Sequence, residues 1–178
     1  MIDPLFSATI ALGLGLLFVV SAVHKATHYT DFRMALGGYV AVPRAAANAL
    51  AWLVPFVEMV AGGSALLFSF QANSMGLWPC AVLLVAYGVA ILINIRSGKI
   101  YVDCGCLGFG AKRDELKIGM VVRNATLAAA AVLAMAPVSS RALGVLDWVS
   151  LAFATIVAAI LYAAFETLLA VAQRSEQG

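Results

Sequence analysis

Five apolar runs, each near the length of a bilayer crossing, constrain this chain more than any other feature. A membrane-spanning helix needs about 20 predominantly apolar residues. Runs of that kind occupy roughly residues 4–23, 47–70, 77–95, 120–136 and 149–172. The fourth is short, and the fifth is long enough to tilt. Only 11% of the residues are charged and 63% are hydrophobic, whereas a soluble domain carries about 25% charge. The solvent of this chain is therefore mostly lipid. In lipid every backbone amide must be satisfied within the structure, which leaves helices or closed barrels. Continuous runs select helices. The expected fold is all-α, a multi-pass transmembrane bundle of four to five helices. No long linker and no internal repeat divides it, so residues 1–178 read as one transmembrane domain. The first run lacks a basic region before it and exceeds the roughly 7–15 residues of a signal-peptide core. It reads as a retained helix.

Two connections hold most of the polarity. One is "HKATHYTDFRMALGGYVAVPRA", residues 24–45, read as a loop. The other is a loop at about 96–119, "RSGKIYVDCGCLGFGAKRDELKIG". With five spans they share one side with the C-terminal tail. Lys25, Arg33, Arg44, Arg96, Lys99, Lys112, Arg113, Lys117, Arg123 and Arg174 fall on that side, and Arg141 on the other. The bias of Lys and Arg towards the cytoplasm predicts that both long loops face inward. A net charge of +2 spread through loops makes no nucleic-acid surface.

Few polar residues interrupt the spans. Glu58 sits near the middle of the second, where an acidic group costs roughly 2.5–3.5 kcal/mol on insertion scales. It reads either as an interhelical hydrogen bond that fixes packing or as a proton relay or contact to a quinone headgroup. His24, Lys25, Asn94, Arg96, Arg123, Asn124 and Glu166 gather towards the loop-bearing end. Lys25, Arg96 and Arg123 read first as cations snorkelling to the interface. Glu166 lies deeper, where a salt bridge to Lys25 or Arg123 would accommodate it. Gly13, Gly15, Gly62 and Gly63 are expected to let helices approach closely.

The chemistry centres on "DCGC", Asp103 to Cys106. Three cysteines, with Cys80 well apart, exclude a fully paired disulfide scaffold. Cys104 and Cys106 can close a strained, readily reduced disulfide if the chain bends at Gly105. Lys99, Lys112 and Arg113 would favour the reactive thiolate, while Asp103 opposes it or accepts a thiol proton. A soft ion such as Cu(I), completed by His24, His28 or Asp103, is a second reading of the same pair. Two inert thiols are the third. Cys80 reads as a small core residue.

"DCGCLG" after "RSGK", "VPFVEMVAGGSALLF" upstream and "VVRNATLA" downstream together resemble the MauE family, related to the wider DoxX-like membrane proteins. The first loop, with its Phe and Tyr before Pro, fits as well. The family often has Phe at the position of Leu107. The resemblance implies a protein of the bacterial cytoplasmic membrane that supports maturation of the exported, disulfide-rich small subunit of methylamine dehydrogenase. It implies a thioredoxin-like partner, MauD. It assigns Cys104 and Cys106 as a redox pair, with Glu58 as the acidic membrane residue. Such a protein would be a thiol–disulfide oxidoreductase or an electron conduit. The alternatives are a metal-binding membrane protein and a docking scaffold without catalysis. No cofactor motif stands out, and a quinone is the one candidate.

Overall fold

The computed structural model describes residues 2–69, 74–98, 118–137, 139 and 144–175. Those residues form six α-helices: α1 (Pro4–Thr27), α2 (Tyr29–Gly38), α3 (Ala47–Ser69), α4 (Trp78–Arg96), α5 (Ile118–Ala134) and α6 (Val145–Ser175). Short 3-10 turns precede α3 and α4. Four stretches, Pro4–Thr27, Ala47–Leu67, Met75–Arg96 and Val145–Phe165, are long and apolar enough to cross a membrane, and the apolar α5 is shorter. The chain is a multi-pass membrane helix bundle. The last helix begins earlier than the hydropathy suggests because Asp147 accepts the Gly144 N–H at 2.8 Å. An acidic side chain reaching back from the third helical position in this way caps a helix start. Likewise α1 starts where Asp3 accepts the Leu5 N–H at 2.8 Å and Pro4 supplies the first helical residue.

Residues 24–45 are not all loop. Helix α1 continues to Thr27, whose hydroxyl donates to the Val23 and His24 carbonyls. At His28 the backbone leaves helical geometry, at φ −109° and ψ 44°. A second, short helix, α2, follows and buries only Phe32. Such a run was too short and too polar to stand out by hydropathy.

Helices α1 and α3 run antiparallel, Gly15 facing Leu66 and Gly62 facing Val19; α1 packs most extensively against α3, and α4 against α5. The α1–α3 seam is built on two glycines. A Cβ on Gly15 would lie 2.7 Å from Leu66 Cγ, and one on Gly62 would lie 2.8 Å from the Gly15 carbonyl oxygen. Gly13 and Gly63 have open space at the same point. Of the four glycines expected to mediate packing, two therefore do so. At one end of the bundle Ala11, Leu14, Ala61, Ala65, Leu77, Cys80, Ala131 and Ala134 form an apolar core. Cys80 is fully buried there, its Sγ 3.4 Å from the Ala61 carbonyl oxygen. Ile2 exchanges backbone hydrogen bonds of 2.9 and 3.0 Å with Pro137 and Ser139, tying the start of α1 to the end of α5. Helix α6 packs on α1 but is only 6% buried over its spanning window.

Candidate functional site

The opposite end of the bundle, where α1 and α4 finish and α3 and α5 begin, is filled with polar side chains. The inward stripe of α1 runs Ala8, Ala11, Leu14, Phe18, Ser21, Ala22 and Lys25. Steps of three and four place all of these on one helical face. Lys25 is thus the last member of a buried stripe. Its side chain is 2% exposed, and it does not snorkel. On α3, Ala51, Glu58, Ala61 and Ala65 are buried on the same kind of stripe, which brings Glu58 to face α1.

Lys25 Nζ donates to Glu58 Oε1 at 2.5 Å and to Ser21 Oγ at 2.6 Å. The same carboxylate oxygen accepts from Tyr87 OH at 2.6 Å and from Ser21 Oγ at 3.2 Å. Three helices, α1, α3 and α4, thereby meet on one atom. The ammonium also lies 5.5 Å from the Phe32 ring centroid and 5.4 Å from that of Tyr87, within cation–π range. Phe32 comes from α2, which is how the short helix covers this end. Burying two charges is tolerable because each is paired and hydrogen-bonded; removing one partner from such a pair costs about 3–5 kcal/mol.

A second cluster adjoins the first. Arg123 is 6% exposed. Its Nη1 donates to Tyr162 OH of α6 at 3.3 Å and its guanidinium sits 5.8 Å from that ring centroid. The expectation of snorkelling thus fails for Arg123 as well as Lys25, for the same reason. Both occupy inward helical positions, with Met120, Asn124 and Ala128 flanking Arg123 on α5. Arg96, by contrast, is exposed at the end of α4. A cavity of about 30 Å³ lies between the clusters, lined by Ser21, Glu58, Tyr87, Arg123, Asn124 and Tyr162 together with apolar side chains. That is room for a water-sized group. Glu58 Oε2 and Asn124 Nδ2 are buried there with no hydrogen-bond partner among the described residues. Further out, Asn94 Oδ1 accepts the Val40 N–H at 2.8 Å, fastening the chain after α2 to α4.

Lys25 meets Glu58 of α3; the expected salt bridge of Glu166 to Lys25 or Arg123 falls on a side chain outside the described residues. Asp103, Cys104, Gly105 and Cys106 likewise lie outside the described residues. The two histidines stack with ring centroids 4.5 Å apart, and His28 Nδ1 sits 3.1 Å from the His24 carbonyl oxygen. Among the described residues no three His, Cys, Asp or Glu side chains gather as a metal site would require. Sequence reasoning missed Ser21, Tyr87 and Tyr162. The first and last are ordinary in apolar helices. The signal for Ser21 was its register: it falls four residues before Lys25 on the buried stripe.

Comparison with known proteins bears on the whole arrangement. The family model described as "Methylamine utilisation protein MauE" matches residues 3–137, which takes in α1 to α5 and leaves α6 outside. The methylamine utilization protein MauE of Paracoccus denitrificans is 30% identical over 131 residues, covering 74% of this chain and 69% of the relative. That of Methylorubrum extorquens is 30% identical over 130 residues, covering 72% and 68%. No solved structure matches the chain. A match over the five helices that build the polar end, in a multi-pass membrane chain, places this protein in the MauE family.

Proposed function

We propose that this protein is the membrane-embedded thiol–disulfide component of methylamine utilisation. In this reading it supports disulfide formation or isomerisation in the exported small (β) subunit of methylamine dehydrogenase, working with a thioredoxin-like MauD partner in the bacterial cytoplasmic membrane. The observation that carries it is a coincidence of place. Cys104 and Cys106 stand in the connection between α4 and α5. That connection leaves and re-enters the bundle at the end where Lys25, Glu58, Arg123 and Asn124 are buried. Membership in the MauE family supports the pathway. Converting two thiols to a disulfide releases two protons with two electrons, and a buried acid–base cluster next to the connection suits that need. Cys104 and Cys106 are the redox pair. Asp103 and Gly105 set its proton and its bend. Glu58 is the proton-handling group, and Arg123 and Glu166 of α6 support it as fixed charges.

The test uses the whole protein in its membrane. The Cys104→Ser/Cys106→Ser variant should insert normally and leave the client subunit with unpaired thiols, read by alkylation and mass shift. Fully formed client disulfides in that strain would remove the reading. Labelling Cys104 and Cys106 from each side of intact cells fixes where they act. The residual cations of the two long connections, with Lys25 and Arg123 discounted as buried, still outweigh Arg141, so labelling from the cytoplasmic side is the expected result, with the pair acting as an electron conduit to the exported partner rather than meeting the client directly.

A further inference from the structure

Beside the polar cavity lies a larger, apolar one of about 310 Å³ between α1, α5 and α6. Gly13, Leu17, Leu127, Ala158 and Tyr162 are among its walls. Leu17, Leu127 and Tyr162 line both spaces, so the two abut along Tyr162. Together they have the form of an amphiphile site: a slot for a chain, ending at a small polar recess. Two observations restrict the head. The recess has room for a group the size of a single oxygen, not for a phosphodiester. Glu58 and Asn124 are among its walls, and each carries a buried atom, the acceptor Glu58 Oε2 and the donor Asn124 Nδ2, with no partner among the described residues. A buried polar atom left in that state is unfavourable, so a ligand that satisfies both is favoured. Glu58 and Arg123 both line the recess, so an anionic head would be repelled by one as it is drawn by the other. A neutral head that accepts in one form and donates in another matches the pair.

We infer that this junction binds an isoprenoid quinone. A ring carbonyl would accept from Asn124 Nδ2; when the Cys104/Cys106 dithiol of the proposed function gives up two electrons and two protons and closes to a disulfide, the quinone becomes a quinol whose ring hydroxyl would donate to Glu58 Oε2. The ring would lie against Tyr162 and the isoprenoid tail along the apolar slot. The choice of a quinone over another neutral amphiphile rests on the thiol–disulfide reading above; the site itself rests on the two cavities.

The probe is decylubiquinone, titrated against the full chain in phosphatidylcholine nanodiscs, with bound quinone measured after free quinone is removed. Saturable binding of about one quinone per chain is expected. Gly13→Phe should weaken it at least about tenfold, because a side chain at Gly13 enters open space in the slot and leaves the fold intact. Asn124→Leu should weaken it several-fold. Decanol should compete poorly. Cys104→Ser/Cys106→Ser should bind as the parent does, so loss of client maturation with retained binding separates the dithiol chemistry from this site. Three results would overturn the inference: no saturable binding, equal binding by Gly13→Phe, or equal competition by decanol, which would make the slot a generic lipid groove.

Discussion

The two ends of the bundle are built on different terms. At the end where α1 and α4 begin, alanines, leucines and Cys80 close the core without a buried charge among the described residues. Its cohesion is van der Waals packing, helped by the glycine seam of α1 and α3. At the other end the same helices, continuing the same stripes, bury Lys25, Glu58, Asn94, Arg123 and Asn124. Cohesion there is conditional, because each charge is tolerable only while its partner is present. In lipid, helices gain little from hydrophobicity against one another, so packing and polar contacts decide association. The contrast shows how one set of helices can hold one half by packing alone and the other by paired polar groups. Helices α4 and α5, which flank the "DCGC" connection in sequence, end and begin in the second.

The comparison breaks most sharply at Lys25. Lys25→Met should destabilise the protein by about 3–5 kcal/mol by stranding the Glu58 carboxylate, measured by reversible unfolding in mixed detergent micelles. Pairing it with Glu58→Leu should recover most of that loss. A double variant as unstable as Lys25→Met would show that the pair does more than satisfy itself. It follows that Glu58→Gln is not a neutral probe of proton transfer, since it leaves a buried ammonium facing an amide. Its phenotype has to be read beside the double variant.

A smaller effect is expected at the apolar seam. Gly62→Ala puts a methyl group against the α1 backbone, and overpacking of this kind typically costs about 1–3 kcal/mol. Gly63→Ala, one residue on, meets open space and should be neutral or slightly stabilising through helix propensity. Equal effects at the two glycines in the same unfolding assay would contradict the seam. The smallest effect belongs to α6. Val157 is exposed on its outer face, and Val157→Ala should change stability by less than about 0.5 kcal/mol. A larger change would mean that α6 packs against another chain.

Much of this was legible in the residues. Apolar run length specified helices in lipid, and the positions of Asn94, Arg123 and Asn124 marked a polar end, while Glu58 stood out as an acid near mid-span. Hydropathy could not assign Lys25, because a lysine near a helix end either snorkels or turns inward, and composition is the same in both cases. Register could have decided it: Lys25 stands three and four residues after Ala22 and Ser21, in line with Phe18. Helix α2 is not legible in the sequence because a ten-residue helix with one buried side chain leaves little periodic trace.

Local composition and spacing are enough to specify the solvent, the helical class, the polar end and the closeness of Cys104 to Cys106 along the chain. Packing in three dimensions is what brings Lys25 to Glu58 across 33 residues of chain. It alone made Tyr87 and Ser21 share that carboxylate, and set Tyr162 at the boundary between a polar recess and an apolar slot. Those facts depend on which helices become neighbours and how closely. Glycine contacts between α1 and α3 and the fit of α5 against α4 settle that, through side-chain shape in three dimensions rather than through any pattern along the chain.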